Sequence, residues 1–177
     1  GDLTGGRELS ITATVLGSAV APLRRSGAHA GDRICVTGTL GGPSRAIAEL
    51  TAGRVPDDWS RRRFAHPEPR LREARWLAAH GATAAVDISD GVVADAGHLA
   101  AASGVAIRID LETLPCATGA DCLDAAASGE EYELLVALPP AAVVHDFEAI
   151  FRIPLTEVGR VIAAGETGVR TFRDGVS

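Results

Sequence analysis

Ala82 to Ile88 is a short apolar run that lacks strict alternation of polar and apolar residues. A strand with that pattern is covered on both faces, so the chain has to fold as a sheet with helices packed against it. Further strands are predicted at Arg33 to Thr37, Gly104 to Asp110, Glu131 to Leu138, Thr156 to Ile162 and Val169 to Phe172. Helices are predicted at Ser44 to Thr51, Pro67 to Ala79, Gly91 to Ser103 and Pro140 to Phe151. In the second of these Leu71, Ala74, Leu77 and Ala78 form the apolar side, Gly81 is the stop, and Trp76 reads as core or interface packing. Small residues in the third, Ala94, Ala96, Gly97, Ala100 and Ala101, permit close approach of a neighbour. Strands and helices mix without a strict βαβ repeat, which favours an α+β fold with a mixed β-sheet covered by helices over a doubly wound one.

Glu8 to Leu16 alternates polar and apolar residues, several of them β-branched, and reads as a half-buried strand without an obvious partner nearby. The small, Arg-containing stretch from Gly17 to Gly31 that follows is a domain boundary, so this residual strand is assigned to a missing domain. The 177 residues contain no Met and begin Gly1-Asp2, which fits a piece of a longer chain.

Hydrophobic residues make up 46% and charged residues 23%, the balance of a soluble protein with one good core. Apolar stretches are too short for a membrane span, which needs roughly 20 residues, and the start lacks the features of a secretory signal. Cys35, Cys116 and Cys122 have no zinc or redox spacing and read as reduced thiols, which predicts a cytoplasmic protein. The net charge of −6 argues against a nucleic-acid partner, which needs a basic face. Arg61-Arg62-Arg63 stands beside Asp57 and Asp58 and reads as a solvated face. An acidic chain remains compatible with Mg-bound phosphates, because carboxylates address the metal.

Three acidic features can carry chemistry. In Asp87-Ile88-Ser89-Asp90-Gly91, Asp87 closes a buried strand and Asp90 opens a helix, so a tight turn can aim both carboxylates at one point. Mg²⁺ is usually held by one or two carboxylates with phosphates and waters, and this pair suits it. Ser89 offers a hydroxyl to a phosphate. The other reading is that Asp90 caps the helix and Asp87 makes a surface turn. In Gly129-Glu130-Glu131-Tyr132-Glu133, alternation sends Glu131 and Glu133 to the face opposite Tyr132, and Glu130 belongs to the turn, free to bond a ligand. Gly1-Asp2-Leu3-Thr4 is unremarkable by itself. The turn Gly38-Thr39-Leu40-Gly41-Gly42-Pro43 can present amides to an anion at a helix start, or be a plain connection.

Gly1-Asp2-Leu3-Thr4, Arg25-Ser26-Gly27, Gly31-Asp32, the Asp87 to Gly91 run continuing to Asp95-Ala96-Gly97-His98-Leu99, Leu114-Pro115 and Ser128-Gly129-Glu130-Glu131-Tyr132-Glu133-Leu134 occur in that order. In this the chain resembles the thiamine-monophosphate kinases, within the aminoimidazole-ribonucleotide-synthetase-like group, from Gly1 to about Leu138 and more loosely to about Ile162. The resemblance implies an aminoimidazole-ribonucleotide-synthetase C-terminal-domain-like fold, with residues 1–22 ending a truncated amino-terminal ATP-binding domain and residues 23–177 forming the carboxy-terminal one. It implies phosphoryl transfer from ATP to thiamine monophosphate, giving thiamine diphosphate, with ATP and Mg²⁺ as cofactors and a homodimer in the full-length protein. It also implies Mg²⁺ ligands at Asp2, Asp87 and Asp90, ATP contacts at Gly1, Asp2, Arg25 and Ser89, and a thiamine-phosphate contact at Glu130. Two departures from the family pattern, Ser128 for Gly and Glu131 for Asp, leave Glu130 in place. The alternatives are another ATP- and Mg-dependent member of the group, or a non-catalytic binding or dimerisation module.

Overall fold

The computed structural model describes residues 12–19, 21–162 and 167–172. Gly1, Asp2 and the first part of the predicted Glu8 to Leu16 strand lie outside the described residues. The part that is described, Thr12 to Leu16, is not a strand: it pairs with nothing, and Val15 and Leu16 are each 92% exposed. Alternation alone does not make a strand where no neighbour supplies the hydrogen bonds.

Six strands form one sheet: β1 (Arg33–Thr37), β2 (Ala84–Asp87), β3 (Ala106–Asp110), β4 (Leu134–Leu138), β5 (Leu155–Ile162) and β6 (Gly168–Phe172). Their order across the sheet is β2-β4-β1-β5-β3-β6. All neighbours are antiparallel except β3 and β6. The helices are α1 (Gly42–Thr51), α2 (Asp58–Ala65), α3 (Leu71–Ala79), α4 (Val92–Ser103), α5 (Cys122–Ala127) and α6 (Phe147–Phe151). The mixed sheet and its helices are the α+β arrangement expected. Among the described residues no helix is long and apolar enough to cross a membrane.

Alternation along the central strands builds two cores. Ile34 and Val36 of β1 and Leu135 and Ala137 of β4 point to one face, where they meet Val92, Ala96, Leu99 and Ala100 of α4 and Ala125 of α5. Cys35, Val136 and Leu138 point to the other, where Leu77 of α3 and Phe147 of α6 cover them. Trp76 belongs to this second cluster, edge-on to Phe147 and Phe151 and stacked on His80. Having a core on each face of the sheet, the domain has what it needs to fold as a unit.

Several boundaries differ from those predicted. Pro67 and Pro69 hold the chain extended, so α3 begins at Leu71 and not at Pro67. The helix predicted from Pro140 shrinks to the single turn of α6, after turns that place the Ala142 carbonyl on Arg33. Strand β4 begins at Leu134, because Glu130 and Tyr132 have left-handed φ angles of 64° and 51° that break an extended run. Helix α2 was not predicted; Asp57 caps it by accepting from the amides of Trp59 and Ser60. The short α5, capped by Asp121, was not predicted either.

Candidate functional site

The two acidic motifs form one surface. Strand β2 ends at Asp87, the chain turns through Ser89 and Asp90, and α4 starts after Gly91. The Ser128 to Glu133 segment lies against this turn, with the Glu130 amide donating to the Ser89 carbonyl at 2.9 Å and the Tyr132 amide to the Ile88 carbonyl at 2.8 Å. The Ile88 amide returns a bond of 2.8 Å to the Glu133 carbonyl. Contact is close enough to require glycine: a Cβ on Gly129 would fall 2.1 Å from the Ser89 carbonyl oxygen. Ser128, which replaces the family's glycine, has a buried hydroxyl without a hydrogen-bond partner.

The reading of Asp90 as a helix cap does not hold. Gly91, not Asp90, is the cap residue of α4, and no side chain caps it. The carboxylate that secures the turn is Asp95, 1% exposed, whose Oδ2 accepts from the Ser89 and Asp90 amides at 2.9 Å each. Asp87 and Asp90 are themselves exposed, so water solvates them, and burial does not force a cation on them. Among the described residues no arginine pairs with either; the neighbour of Asp90 is the His98 ring, with Nε2 at 3.9 Å. Ligand atoms of Asp90, Asp95 and His98 lie within 4.8 Å of one another. Asp87 stands outside that group. Oxygen donors free of arginine at the end of a strand suit a hard cation such as Mg²⁺.

Glu130 is exposed, and the Tyr132 hydroxyl donates to its Oε2 at 2.9 Å. That bond stabilises the neutral phenol and raises the Tyr132 pKa. Glu131 and Glu133 point inward, opposite Tyr132 as predicted, and are fully buried. Glu131 Oε1 accepts from the Gly41 amide at 2.6 Å, so the anion at the start of α1 is the protein's own carboxylate. Its Oε2 has no hydrogen-bond partner. Burial pushes the Glu131 pKa up to about 7 against the opposing pull of Gly41 and Arg63.

Glu133 is held by three groups. Arg70 grips it bidentately, Nε to Oε2 at 2.8 Å and Nη2 to Oε1 at 2.6 Å. Thr37 donates to Oε2 at 2.7 Å, and Arg63 Nη2 stands 3.1 Å from Oε1. The Arg61 to Arg63 run is therefore not all solvated: Arg63 is turned in, with its side chain only 12% exposed. Sequence reasoning missed Arg63 and Arg70, which hold the buried carboxylates behind the turn, and included Asp95 in the motif without giving it a role. The inward direction of Glu131 and Glu133 was the available signal, since two buried carboxylates demand cations.

Arg25 is exposed, and its carbonyl accepts from Ser103 at the far end of α4. The length of that 12-residue helix, about 18 Å at 1.5 Å per residue, separates it from the Asp90 turn. Concavities of about 440 Å³ around Arg33, His145 and Glu148, and about 340 Å³ around Arg108 and Arg160, include none of the predicted residues.

Residues 29–171 match the family described as AIR synthase related protein, C-terminal domain. The chain belongs to that family. Among members of known sequence, this AIR synthase-related domain is 39% identical to a thiamine-monophosphate kinase of Methanopyrus kandleri, over 98% of this chain and 57% of the relative. In structure it is similar to a thiamine-monophosphate kinase from Stenotrophomonas maltophilia K279a, with a TM-score of 0.76 and 35% identity, covering 86% of this chain and 53% of the other. It is also similar to AaThiL, solved in complex with AMPPCP and TMP, with a TM-score of 0.71 and 32% identity over 87% of this chain and 51% of that one. The chain thus spans between 51% and 57% of the length of these relatives.

Proposed function

We propose that this chain is the carboxy-terminal part of a thiamine-monophosphate kinase, which moves the γ-phosphoryl group of ATP to thiamine monophosphate and yields thiamine diphosphate and ADP. One observation carries the reading: the Asp87 to Gly91 turn and the Glu130 turn are bonded to each other and present exposed carboxylates on one surface. Carboxylates of both roles, metal ligand and substrate contact, then stand side by side. The likeness to AaThiL, whose complex contains AMPPCP and TMP, supports the pairing of a nucleotide with a thiamine phosphate.

In this reading Asp87 and Asp90 hold Mg²⁺, which when bound neutralises phosphate charge so that two anionic substrates can approach. Ser89 and Arg25 contact ATP, and Glu130 faces the cationic thiamine moiety. Gly1 and Asp2 extend the ATP and metal site, residues 1–22 close an amino-terminal ATP-binding domain, and residues 23–177 are the domain described above. The protein works in the cytoplasm as a homodimer, with no nucleic-acid partner. The chain alone lacks part of the ATP site and has no kinase activity.

The test is phosphoryl transfer by the whole protein that contains this chain. Asp87→Asn and Asp90→Asn should each lower kcat/KM by about a hundredfold and abolish thermal stabilisation by an ATP analogue with Mg²⁺. Melting without ligand should hardly change, because both residues are exposed. Full stabilisation by the nucleotide in both variants refutes the metal role, and thiamine diphosphate formation by residues 1–177 alone refutes the partial-enzyme reading.

A further inference from the structure

We propose that Arg63 is a positioning residue for Glu130, acting from behind the turn through the Glu131 carbonyl and the Glu133 carboxylate. The proposal rests on the reading of Glu130 as the thiamine-phosphate contact.

Glu130 and Tyr132 both adopt left-handed φ angles, 64° and 51°, which disfavour any side chain other than glycine. Residues persist there only when their surroundings fix them. The Glu130 and Tyr132 amides are tied to the Ser89 and Ile88 carbonyls, and the only side-chain bond described on the outer side of the turn is the exposed one from the Tyr132 hydroxyl to Glu130, which adds little. The carbonyl side of the Glu131–Tyr132 peptide is held from the buried side. Arg63 Nη2 donates to the Glu131 carbonyl at 2.6 Å and stands 3.1 Å from Glu133 Oε1. The peptide plane that carries the Glu131 carbonyl rotates about φ of Tyr132. With the amide edge of that plane on the Ile88 carbonyl, one nitrogen tied both to its carbonyl and to the side chain of Glu133 completes the lock on the φ of the residue between them. Arg70 and Thr37 bind the Glu133 carboxylate but not the Glu131 carbonyl. Arg63 thus does something that the other cation does not.

Losing Arg63 need not unfold the domain. Glu133 keeps Arg70 and Thr37, and Glu131, with a pKa near 7, can take up a proton. Helix α2 keeps its Asp57 cap.

The experiment compares Arg63→Met with Arg70→Met. Tyr132 is the single tyrosine of the chain, so its ring resonance reports on the turn without assignment, and Glu130→Gln supplies the resonance of the ring without its carboxylate. In Arg63→Met the ring should move toward that reference. In the whole protein KM for thiamine monophosphate should rise about tenfold, with KM for ATP and kcat within about twofold. Arg70→Met should lose as much stability but leave the ring and the KM ratio near native, as a merely structural role would. If Arg63→Met does not melt cooperatively, Arg63→Lys is read instead. It keeps the charge beside Glu133 with a shorter reach to the carbonyl, and the same selective rise should be about threefold. A native ring position and native KM in whichever variant folds overturns the proposal. If the unaltered protein does not phosphorylate thiamine monophosphate while the ring still moves in Arg63→Met, the substrate reading fails and the control of the turn by Arg63 stands.

Discussion

Glu131 is a carboxylate with one oxygen hydrogen-bonded and the other held only by the Arg63 guanidinium at 3.8 Å, sealed in a core beside a second carboxylate. Its folded pKa of about 7 lies above the ordinary 4.5, so between those values the folded chain binds more protons than the unfolded chain. Stability from this group therefore falls as pH rises from 4.5 to about 7; the penalty is absent below that window and complete above it. The shift corresponds to about 3–4 kcal/mol as an upper bound. Glu131→Gln keeps a carbonyl for the Gly41 amide and cannot ionise. Thermal melts should show the variant more stable than the natural chain at about pH 8 and no better at about pH 4. Parallel stability curves for the two proteins would show that the Glu131 charge is not the cause. The family pattern has Asp at this position, and the longer Glu is what reaches the Gly41 amide here.

At the scale of elements, the unit that matters is β2, its turn and α4, closed by Asp95 reaching back to two amides of the turn. Asp95→Ala would remove the acceptor of both half-buried donors and should cost about 1–2 kcal/mol in denaturant melts. Asp95→Asn, whose amide oxygen can still accept, should cost less than half of that; equal losses would mean that the charge and not the hydrogen bonds secures the turn. Elements like this one were legible in the sequence because their signals are local. Strand β1 came out at its predicted residues, and α4 within a residue of its predicted bounds, since an apolar run and a glycine stop were enough. Alternation gave the separation of Glu131 and Glu133 from Tyr132, but not that their face is the buried one. What the sequence did not reveal depends on partners far along the chain: Arg63 meets Glu131 across 68 residues, and Arg70 meets Glu133 across 63. No period marks such a pairing. The left-handed Glu130 and Tyr132 were hidden for a related reason, as side chains of that kind reach such angles only when a tertiary lock is present.

For the whole molecule, the sheet is covered unevenly. Both faces of β2, β4 and β1 are packed, but at the β5 and β3 end one face carries Arg108, Glu157 and Arg160, all exposed. Apolar continuity at Ala82 to Ile88 thus predicted the covered end of the sheet correctly and gave no information on the open end. The three free thiols sample this asymmetry. Cys35 lies under α3 at the centre of the sheet, 2% exposed, and burial pushes its pKa to about 12. Cys116 is half-buried and also pushed to about 12, by burial first and then by a hydrogen bond with Cys122. Cys122 borders a concavity of about 210 Å³ at the start of α5. Because only the thiolate reacts with an alkylating reagent, labelling of the native chain followed by peptide mass spectrometry should modify Cys122 first and Cys116 more slowly. Cys35 sits on the sheet face covered by α3 and α6, so if that cover opens only with the sheet its labelling should track global unfolding and accelerate with denaturant in step with loss of the sheet. Labelling of Cys35 at the rate of Cys122 in native conditions would mean that α3 and α6 open independently of the sheet, and that the second core is a cover and not part of the cooperative unit.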